Sequence, residues 1–230
     1  MVQIGSRVRG AAASLFLAAA AGCLAAPSEV DDPPVGNCEP FVEDSFDDDG
    51  VTRSRFDVDE APPESTVDIS GGFARVGAFG SSEVSGYAGL RTEAEHQVAS
   101  TALEVSFDSG SVSQGGAIIL ALDTEGETSY ELGVLASGFA IVHDDAGGNT
   151  TVECDPCADF ADGTWTLRLE ERRGTLRFLA GSDGGPLSDL FPAGVAIESQ
   201  AMFAHIFLVA DEDGAMATAD LDTISWATCE

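Results

Sequence analysis

Residues 165–180 read WTLRLEERRGTLRFLA and carry the clearest structural signal in the chain. Apolar and polar residues alternate on both sides of the pair Arg173-Gly174, and a period of two residues is typical of strands with one buried face. Glycine takes a positive φ without steric cost, so this pair suits a tight turn. The stretch therefore predicts a β-hairpin.

The same alternation recurs from Thr66 onward, with glycines between most of the apolar segments. Further strands are predicted at residues 67–70, 73–78, 87–91, 98–107, 117–123, 129–135, 139–143, 150–153, 202–210 and in a last segment that ends at Trp226. Only residues 91–98 suggest a turn of helix. Many short strands at this spacing predict an all-β, two-sheet antiparallel sandwich, with a closed barrel as the alternative. Both tryptophans are in phase with core positions.

The N-terminus has the pattern of an export signal. Two arginines precede an apolar stretch at residues 11–21, which is too short to span a bilayer. The small residues before Cys23 resemble the lipobox of bacterial lipoproteins, in which the signal is removed and the cysteine is diacylated. This resemblance implies a signal peptide at residues 1–22 and lipidation of Cys23, and Leu24 after the cysteine favours the outer membrane or cell surface. Ordinary secretion is the alternative.

Residues 23–37 are acidic and rich in proline, and they have too little apolar content to fold. We interpret them as a flexible tether. Residues 38–230 are then long enough for one large β-domain with its own core, whereas two domains would be cramped.

The chain is strongly acidic, with a formal net charge of −30. Removal of residues 1–22, which contain two arginines and no acidic residue, makes it −32. Such a charge repels nucleic acid and anionic lipid, so no nucleic acid partner is expected and the membrane is contacted only through the lipid anchor. The acidic residues serve solubility at a cell surface, or clusters of them bind Ca²⁺.

Four cysteines remain besides Cys23, an even number in an exported chain, and disulfides are expected. Three pairings are open. We favour Cys154 with Cys157, and Cys38 with Cys229, because the second bond ties the first strand to the last. A four-thiolate zinc site is the alternative, although an oxidising compartment disfavours it.

Several short motifs follow one another in an order that resembles the concanavalin A-like lectin/glucanase superfamily, including laminin G-like domains. They are Phe46-Asp47-Asp48-Asp49-Gly50, Gly71-Gly72-Phe73, Gly163-x-Trp165-x-Leu167, Gly174-x-Leu176-x-Phe178 and Ala219-Asp220-Leu221-Asp222. The resemblance covers most of residues 39–228. It implies a jelly-roll sandwich with a concave, often ligand-facing sheet and with first and last strands side by side, an arrangement that fits the Cys38–Cys229 bond.

Members of this superfamily that hydrolyse glycans usually carry Glu-x-Asp-x-x-Glu on one strand, because a retaining mechanism needs two carboxylates about 5.5 Å apart. This chain has no convincing match. Glu104 and Asp108 have the wrong spacing, and Glu60 and Glu64 lie in a proline-rich segment. The sequence therefore favours a protein that does not catalyse glycan hydrolysis.

Five aspartates are candidate metal ligands. Asp44, Asp47 and Asp49 lie near the first strand, and Asp220 and Asp222 lie on the last. Adjacent first and last strands would bring them close together, and the resemblance implies a structural calcium near these strands. The alternative is that they are solvated carboxylates of turns and strand edges.

Polar-tipped rings are the candidate ligand-binding residues, because such rings combine an apolar face with a hydrogen-bonding group. We assign this role to Tyr87, Tyr130 and His143, with His96 as a further candidate. His205 lies inside an apolar run, which favours a core histidine over a ligand-binding one.

Together these patterns predict a lipid-anchored, non-catalytic cell-envelope protein that acts as a binding or structural module. The expected partners are an extracellular glycan or another envelope protein. The rival hypothesis is a glycoside hydrolase or polysaccharide lyase whose active site has no recognisable sequence motif.

Overall fold

The computed structural model describes residues 38–60, 63–124, 128–156, 158–159, 163–182, 184–198 and 200–229. The predicted signal peptide, the tether and Cys23 lie outside these residues. The strands are, in chain order, β1 (Cys38–Asp44), β2 (Phe56–Glu60), β3 (Ser65–Ser70), β4 (Phe73–Phe79), β5 (Gly86–Thr92), β6 (His96–Gln97), β7 (Thr101–Val112), β8 (Gly116–Asp123), β9 (Ser129–Leu135), β10 (Gly138–Asp144), β11 (Thr150–Cys154), β12 (Trp165–Arg172), β13 (Thr175–Ser182), β14 (Ser188–Asp189), β15 (Val195–Ala196), β16 (Ala201–Ala210) and β17 (Met216–Cys229).

The strands form two sheets. The first has the order β14-β13-β12-β7-β17-β4-β3, with β1 also beside β17 and β15 also beside β13. The second has the order β11-β10-β9-β8-β16-β5-β2, with β6 also beside β16. Strand pairs such as β7 with β17 and β8 with β16 are antiparallel, as are the other pairs between the described strands. The predicted two-sheet antiparallel sandwich is confirmed.

The predicted hairpin is the pair β12 and β13. Its register runs from Trp165 opposite Ser182 to Arg172 opposite Thr175. The turn residues Arg173 and Gly174 have φ angles of 55° and 80°. Two consecutive positive φ angles match the right-handed twist of the strands that a two-residue turn joins.

The core lies between the sheets and receives large side chains from both of them. The largest fully buried ones are Trp226, Phe46, Phe56, Phe107, Phe139 and Phe178. Trp165 is partly buried and packs against this core. The predicted core positions of both tryptophans are thus confirmed, and the core is continuous across the two sheets.

The two ends of the described chain lie side by side. β1 pairs with β17, and Cys38 stands opposite Cys229 in their register. The two cysteines form a disulfide that spans a sequence separation of 191 residues. This confirms the predicted bond between the first and last strands.

One local prediction is wrong. Residues 91–98 form no helical turn, because β5 continues to Thr92 and His96–Gln97 form β6 against β16. The acidic motif after β1 leads into α1 (Asp49–Thr52), the one helix within the described residues. The Asp48 side chain accepts hydrogen bonds from the first backbone N–H groups of α1, so a strong N-cap starts this short helix. No described helix is long and apolar enough to cross a membrane.

Candidate functional site

One face of the second sheet carries polar side chains above an apolar floor. Ala88 and Leu90 of β5 are fully buried in the core between the sheets. Because successive side chains of a strand point to opposite faces, Tyr87 and Arg91 lie on the side turned away from the first sheet, which we term the outer face. His205 of β16 stands opposite Arg91 in the strand register and shares this face.

The floor of the outer face is a small apolar cluster separate from the main core. Its members are Ala117, Ile119, Ala121, Leu135 and Ala140, with Phe207 and Val209 packed against them. A depression with a cavity volume of about 30 Å³ lies over part of this floor, and Glu131 and Asp211 contribute to its lining. Closed pockets for drug-sized ligands have roughly 300 Å³ or more. The outer face is therefore an open surface with a shallow, mainly apolar depression.

Four side chains from three strands form one polar network on the outer face. The Tyr87 hydroxyl lies 2.9 Å from Nε2 of His205, and Nδ1 of His205 lies 3.4 Å from Oδ2 of Asp123. Nη2 of Arg91 donates a hydrogen bond of 2.9 Å to Oδ1 of Asp123. His205 thus links the hydroxyl to the carboxylate through its two ring nitrogens.

Arg91 is held in place from two directions. Besides its bond to Asp123, its guanidinium carbon lies 3.7 Å from the centroid of the Phe203 ring, within the range of a cation–π interaction. The side chains of Arg91 and Asp123 are 31% and 21% exposed. The pair is therefore half-shielded from solvent, and Arg91 balances the charge of Asp123.

Tyr87 stays a neutral phenol in this environment. Burial raises the pKa of Tyr87 above that of free tyrosine, and the carboxylates of Asp59 and Asp123 raise it further. Arg91 opposes this effect. A phenol that keeps its proton can donate one hydrogen bond and accept another, which suits recognition of a hydroxylated ligand.

Glu131 of β9 lines the depression, and its carboxyl group has a raised pKa. Burial raises the pKa of Glu131 from 4.5 to about 7, and the carboxylates of Asp144 and Asp123 contribute in the same direction. The Ser129 hydroxyl donates a 3.1 Å hydrogen bond to Oε1 of Glu131 and opposes the rise. Near neutral pH, Glu131 is therefore divided between its acid and carboxylate forms.

On β9, Glu131 has no second carboxylate at a neighbouring outward position, whereas Asp57 and Asp59 form such a pair on β2, the strand beside β5. Ser129, Glu131 and Gly133 occupy successive outward positions of β9. Asp123 of β8 and Asp144 of β10 each stand opposite Ser129 in the strand register, one alternate position away from Glu131. The outward side of β9 therefore carries one carboxylate, that of Glu131, between a serine and a glycine.

The structure separates the predicted ligand-binding residues. Tyr87 lies on the outer face, whereas Tyr130 belongs to the core between the sheets. His143 stands opposite Tyr130 in the register, and their rings stack at a centroid distance of 5.9 Å. Nδ1 of His143 lies 3.3 Å from the Glu153 carboxylate. Tyr130 and His143 therefore share an inner-facing position and not the face that carries Tyr87.

His96 also lies away from the outer-face network. Its ring contacts Phe41 and Trp226 at centroid distances of 4.9 Å and 5.3 Å. Burial lowers the pKa of His96, so this ring stays neutral near physiological pH. His96 therefore packs within an aromatic group with Phe41 and Trp226.

Sequence reasoning missed His205, Asp123, Arg91 and Glu131. His205 was predicted to be a core residue, and its side chain is indeed only 12% exposed. However, Ala204 and Ile206 on either side of it are the residues that enter the core. The alternation within β16 therefore contained the signal that His205 points outward.

The five candidate calcium ligands have protein partners. Asp44 is buried and accepts hydrogen bonds from the backbone of Phe46 and the hydroxyl of Thr52. The others pair as follows: Asp47 with Ser45, Asp49 with Arg53, Asp220 with Ser109 and Arg75, and Asp222 with Ser106. Among the described residues, no group of three or more His, Cys, Asp or Glu side chains could hold a metal ion. This arrangement does not gather the five aspartates into a ligand set, and structural calcium stays a prediction.

The second predicted disulfide, between Cys154 and Cys157, includes a cysteine outside the described residues. Cys154 ends β11, and its predicted partner Cys157 lies outside the described residues. The bond between Cys154 and Cys157 therefore stays a prediction.

No model of a protein family matches this chain, and no curated protein matches it in sequence. Solved structures do resemble it. A glycosyl hydrolase family 16 protein from Mycobacterium smegmatis has 14% identity and a TM-score of 0.59, over 82% of this chain and 100% of that one. The catalytic domain of an endo-1,3-β-glucanase (laminarinase) from Thermotoga petrophila has 9% identity and a TM-score of 0.58, over 85% and 100%.

A β-1,3-glucanase from Mycobacterium marinum has 14% identity and a TM-score of 0.58, over 82% of this chain and 98% of that one. These proteins are concanavalin A-like jelly-roll sandwiches. The likeness shows that this chain has the same fold, as its sequence motifs predicted. At such identities it shows the fold alone.

Proposed function

We propose that this protein is a glycan-binding module that holds a neutral polysaccharide on the outer face of its second sheet and does not hydrolyse it. The observation that carries the proposal is the position of a hydroxyl-based polar network beside an apolar floor on one open face. A sugar ring has a C–H face and a rim of hydroxyl groups, and these two surfaces match the floor and the network.

The charge of the outer face favours a neutral ligand over an anionic one. Arg91 is its cationic side chain, and Asp123 already neutralises it at 2.9 Å. The carboxylates of Asp59 and Asp144 add negative charge around it, and Glu131 adds more in its ionised form. A polyuronate or a sulfated glycan would meet net repulsion there, whereas a neutral glucan would not.

The arrangement of carboxylates favours binding without retaining hydrolysis. That mechanism needs a proton donor and a nucleophile about 5.5 Å apart. Glu131 has the pKa of an acid catalyst, but the neighbouring outward positions on its strand are Ser129 and Gly133. Asp123 is paired with Arg91 and lies 3.4 Å from a ring nitrogen of His205, which leaves it poorly placed to act as a free nucleophile.

The names of the structural neighbours suggest the first ligand to test. Two of those described above are named as enzymes of β-1,3-glucan, one of them as a laminarinase. We therefore take β-1,3-glucan as the initial candidate. Export, lipidation of Cys23 and anchoring at the outer membrane or cell surface complete the proposal, and they rest on the sequence pattern.

A hydrolase that uses Glu131 as its acid is the competing function, because a carboxyl with a pKa of about 7 suits proton donation at neutral pH. The test combines two measurements on the purified protein. Calorimetric titration with laminarin and with alginate measures binding, and a reducing-end assay on laminarin measures hydrolysis.

We expect binding of laminarin, no binding of alginate and no new reducing ends. Reducing ends that disappear in Glu131→Gln would establish the hydrolase instead. Absence of binding to laminarin and to a panel of other neutral glycans would overturn the proposed function.

A further inference from the structure

Glu131 has one carboxyl oxygen with a hydrogen-bond partner and one without a partner among the described residues. Its Oε1 accepts the hydrogen bond from Ser129 at 3.1 Å. Its other oxygen receives no hydrogen bond from the residues that the structure describes, and the residue lines the depression on the outer face. The Glu131 side chain therefore lies at the edge of the position that a group in this depression would occupy.

The surroundings of Glu131 supply little to stabilise a negative charge. Ala121 of β8 and Val142 of β10 stand directly opposite Glu131 in the strand register, and both are apolar. Gly133, two positions along β9, adds no side chain to the floor. Burial of an ionised carboxyl against such groups is unfavourable.

The charged and titratable groups that face Glu131 come from every neighbouring element. Asp123 of β8 and Asp144 of β10 lie on either side, and Asp211 contributes to the same depression. His205 of β16 lies one strand further away and is bonded to Tyr87. The cation Arg91 of β5 lies on the same face and is paired with Asp123.

We propose that Glu131 is a proton-controlled gate of glycan binding, a deepening that rests on the proposed function. In its acid form, Glu131 donates a hydrogen bond from its unengaged oxygen to a hydroxyl or ring oxygen of a neutral sugar over the depression. Ionisation removes this donor and leaves a charge that the bound sugar would bury. Binding of the glycan and binding of the proton therefore reinforce each other.

The acid–base equilibrium of Glu131 fits its half-buried position beside the depression. Burial raises the pKa of Glu131 to about 7, so the acid form predominates below neutral pH and the carboxylate above it. A ligand that covers the depression removes more water and shifts the pKa of Glu131 further upward. The gate therefore works between mildly acidic and mildly alkaline conditions.

The experiment measures laminarin affinity by calorimetry at pH 5.5 and pH 8.5. If only the acid form binds, the apparent dissociation constant scales with the fraction of acid form, and affinity falls about 30-fold over this range. Glu131→Gln is permanently neutral and should keep its pH 5.5 affinity at pH 8.5. Asp68→Asn removes a carboxylate from an exposed position of the first sheet, and it should follow the wild type.

A second readout follows the Glu131 carboxyl directly by ¹³C NMR, with and without laminarin. Saturation with laminarin should raise the pKa of Glu131 above its value in the free protein. Binding that is equally strong at both pH values, or a pH dependence that persists in Glu131→Gln, would overturn the gate alone. Absence of laminarin binding at every pH would overturn the proposed function and the gate together.

Discussion

The hydroxyl of Tyr87 and Nε2 of His205 lie 2.9 Å apart across two adjacent strands of the second sheet. Tyr87 stands opposite Val209, so its side chain reaches along the sheet to a histidine four residues earlier in β16. His205 in turn approaches Asp123 through its other ring nitrogen. This relationship defines the outer face as an organised polar site, because three strands contribute to one series of polar contacts.

The two tyrosines of the chain should differ sharply in their effect on binding. Tyr87→Phe removes a hydroxyl from the outer face and should weaken laminarin binding by roughly fivefold, the value of one hydrogen bond of about 1 kcal/mol. Tyr130→Phe makes the same chemical change on the inner side of the sheet and should leave affinity unchanged. Calorimetric titration of both variants checks this, and equal losses would contradict the assignment of the outer face.

The alternation of apolar and polar residues predicted the sandwich well. Strands such as β12 and β13 have one buried face, so their sequence contains the period of two residues, and the Arg173-Gly174 turn fixes their register. The Cys38–Cys229 bond followed from the expected neighbourhood of the first and last strands. Local signals failed at residues 91–98, because tertiary pairing of β6 with β16 overrode a weak helical pattern.

The site was harder to predict, because its residues come from strands that are distant in sequence. Tyr87 and His205 are separated by 118 positions, and Arg91 and Asp123 by 32. Only the strand order of the sheet brings them together. The second sheet is apolar on both faces near Ile119 and Phe207, so composition did not distinguish the core side from the outer side.

Arg91 should contribute to stability as well as to the site. Arg91→Ala leaves Asp123 without its cation and removes the contact with Phe203, so we expect the free energy of unfolding to fall by about 2 kcal/mol. Arg75→Ala is the matched control, because Arg75 is 54% exposed and makes longer contacts with carboxylates. We expect Arg75→Ala to lower the free energy of unfolding by less than about 1 kcal/mol. Urea unfolding measures the free energy of unfolding of both variants. An equal loss in Arg91→Ala and Arg75→Ala would contradict the structural role of Arg91.

Protonation of Glu131 should make stability depend on pH. The pKa of Glu131 is raised to about 7 in the folded state from 4.5, so between these values the folded state binds more protons than the unfolded state. The stabilisation is complete below about pH 4.5 and is lost as pH rises through about 7, a change on the order of 3 kcal/mol. Glu131→Gln should therefore be more stable than the wild type at pH 8 and equally stable at pH 4.5.

Urea unfolding at several pH values measures this difference, and Asp68→Asn serves as the control for loss of a carboxylate. If the stability of Glu131→Gln relative to Asp68→Asn did not change between pH 4.5 and pH 8, Glu131 would titrate as an ordinary exposed residue.

The disulfide should account for a large part of the stability. It spans 191 residues, and in the chain-entropy model a loop of this length stabilises the folded state by about 5 kcal/mol. The double variant Cys38→Ser/Cys229→Ser should lose up to this amount in urea unfolding. Peptide mapping of the wild type without reductant provides the covalent check, and a bond from Cys38 to any cysteine other than Cys229 would contradict the structure.

Glycan binding on the outer face is tested most directly by locating bound laminarin on the protein, through NMR chemical-shift changes during titration. We expect changes at Tyr87, Glu131 and His205 on the outer face, and none at Arg75 or Asp220 on the first sheet. Shifts confined to the first sheet, or none at saturating glycan, would contradict this expectation.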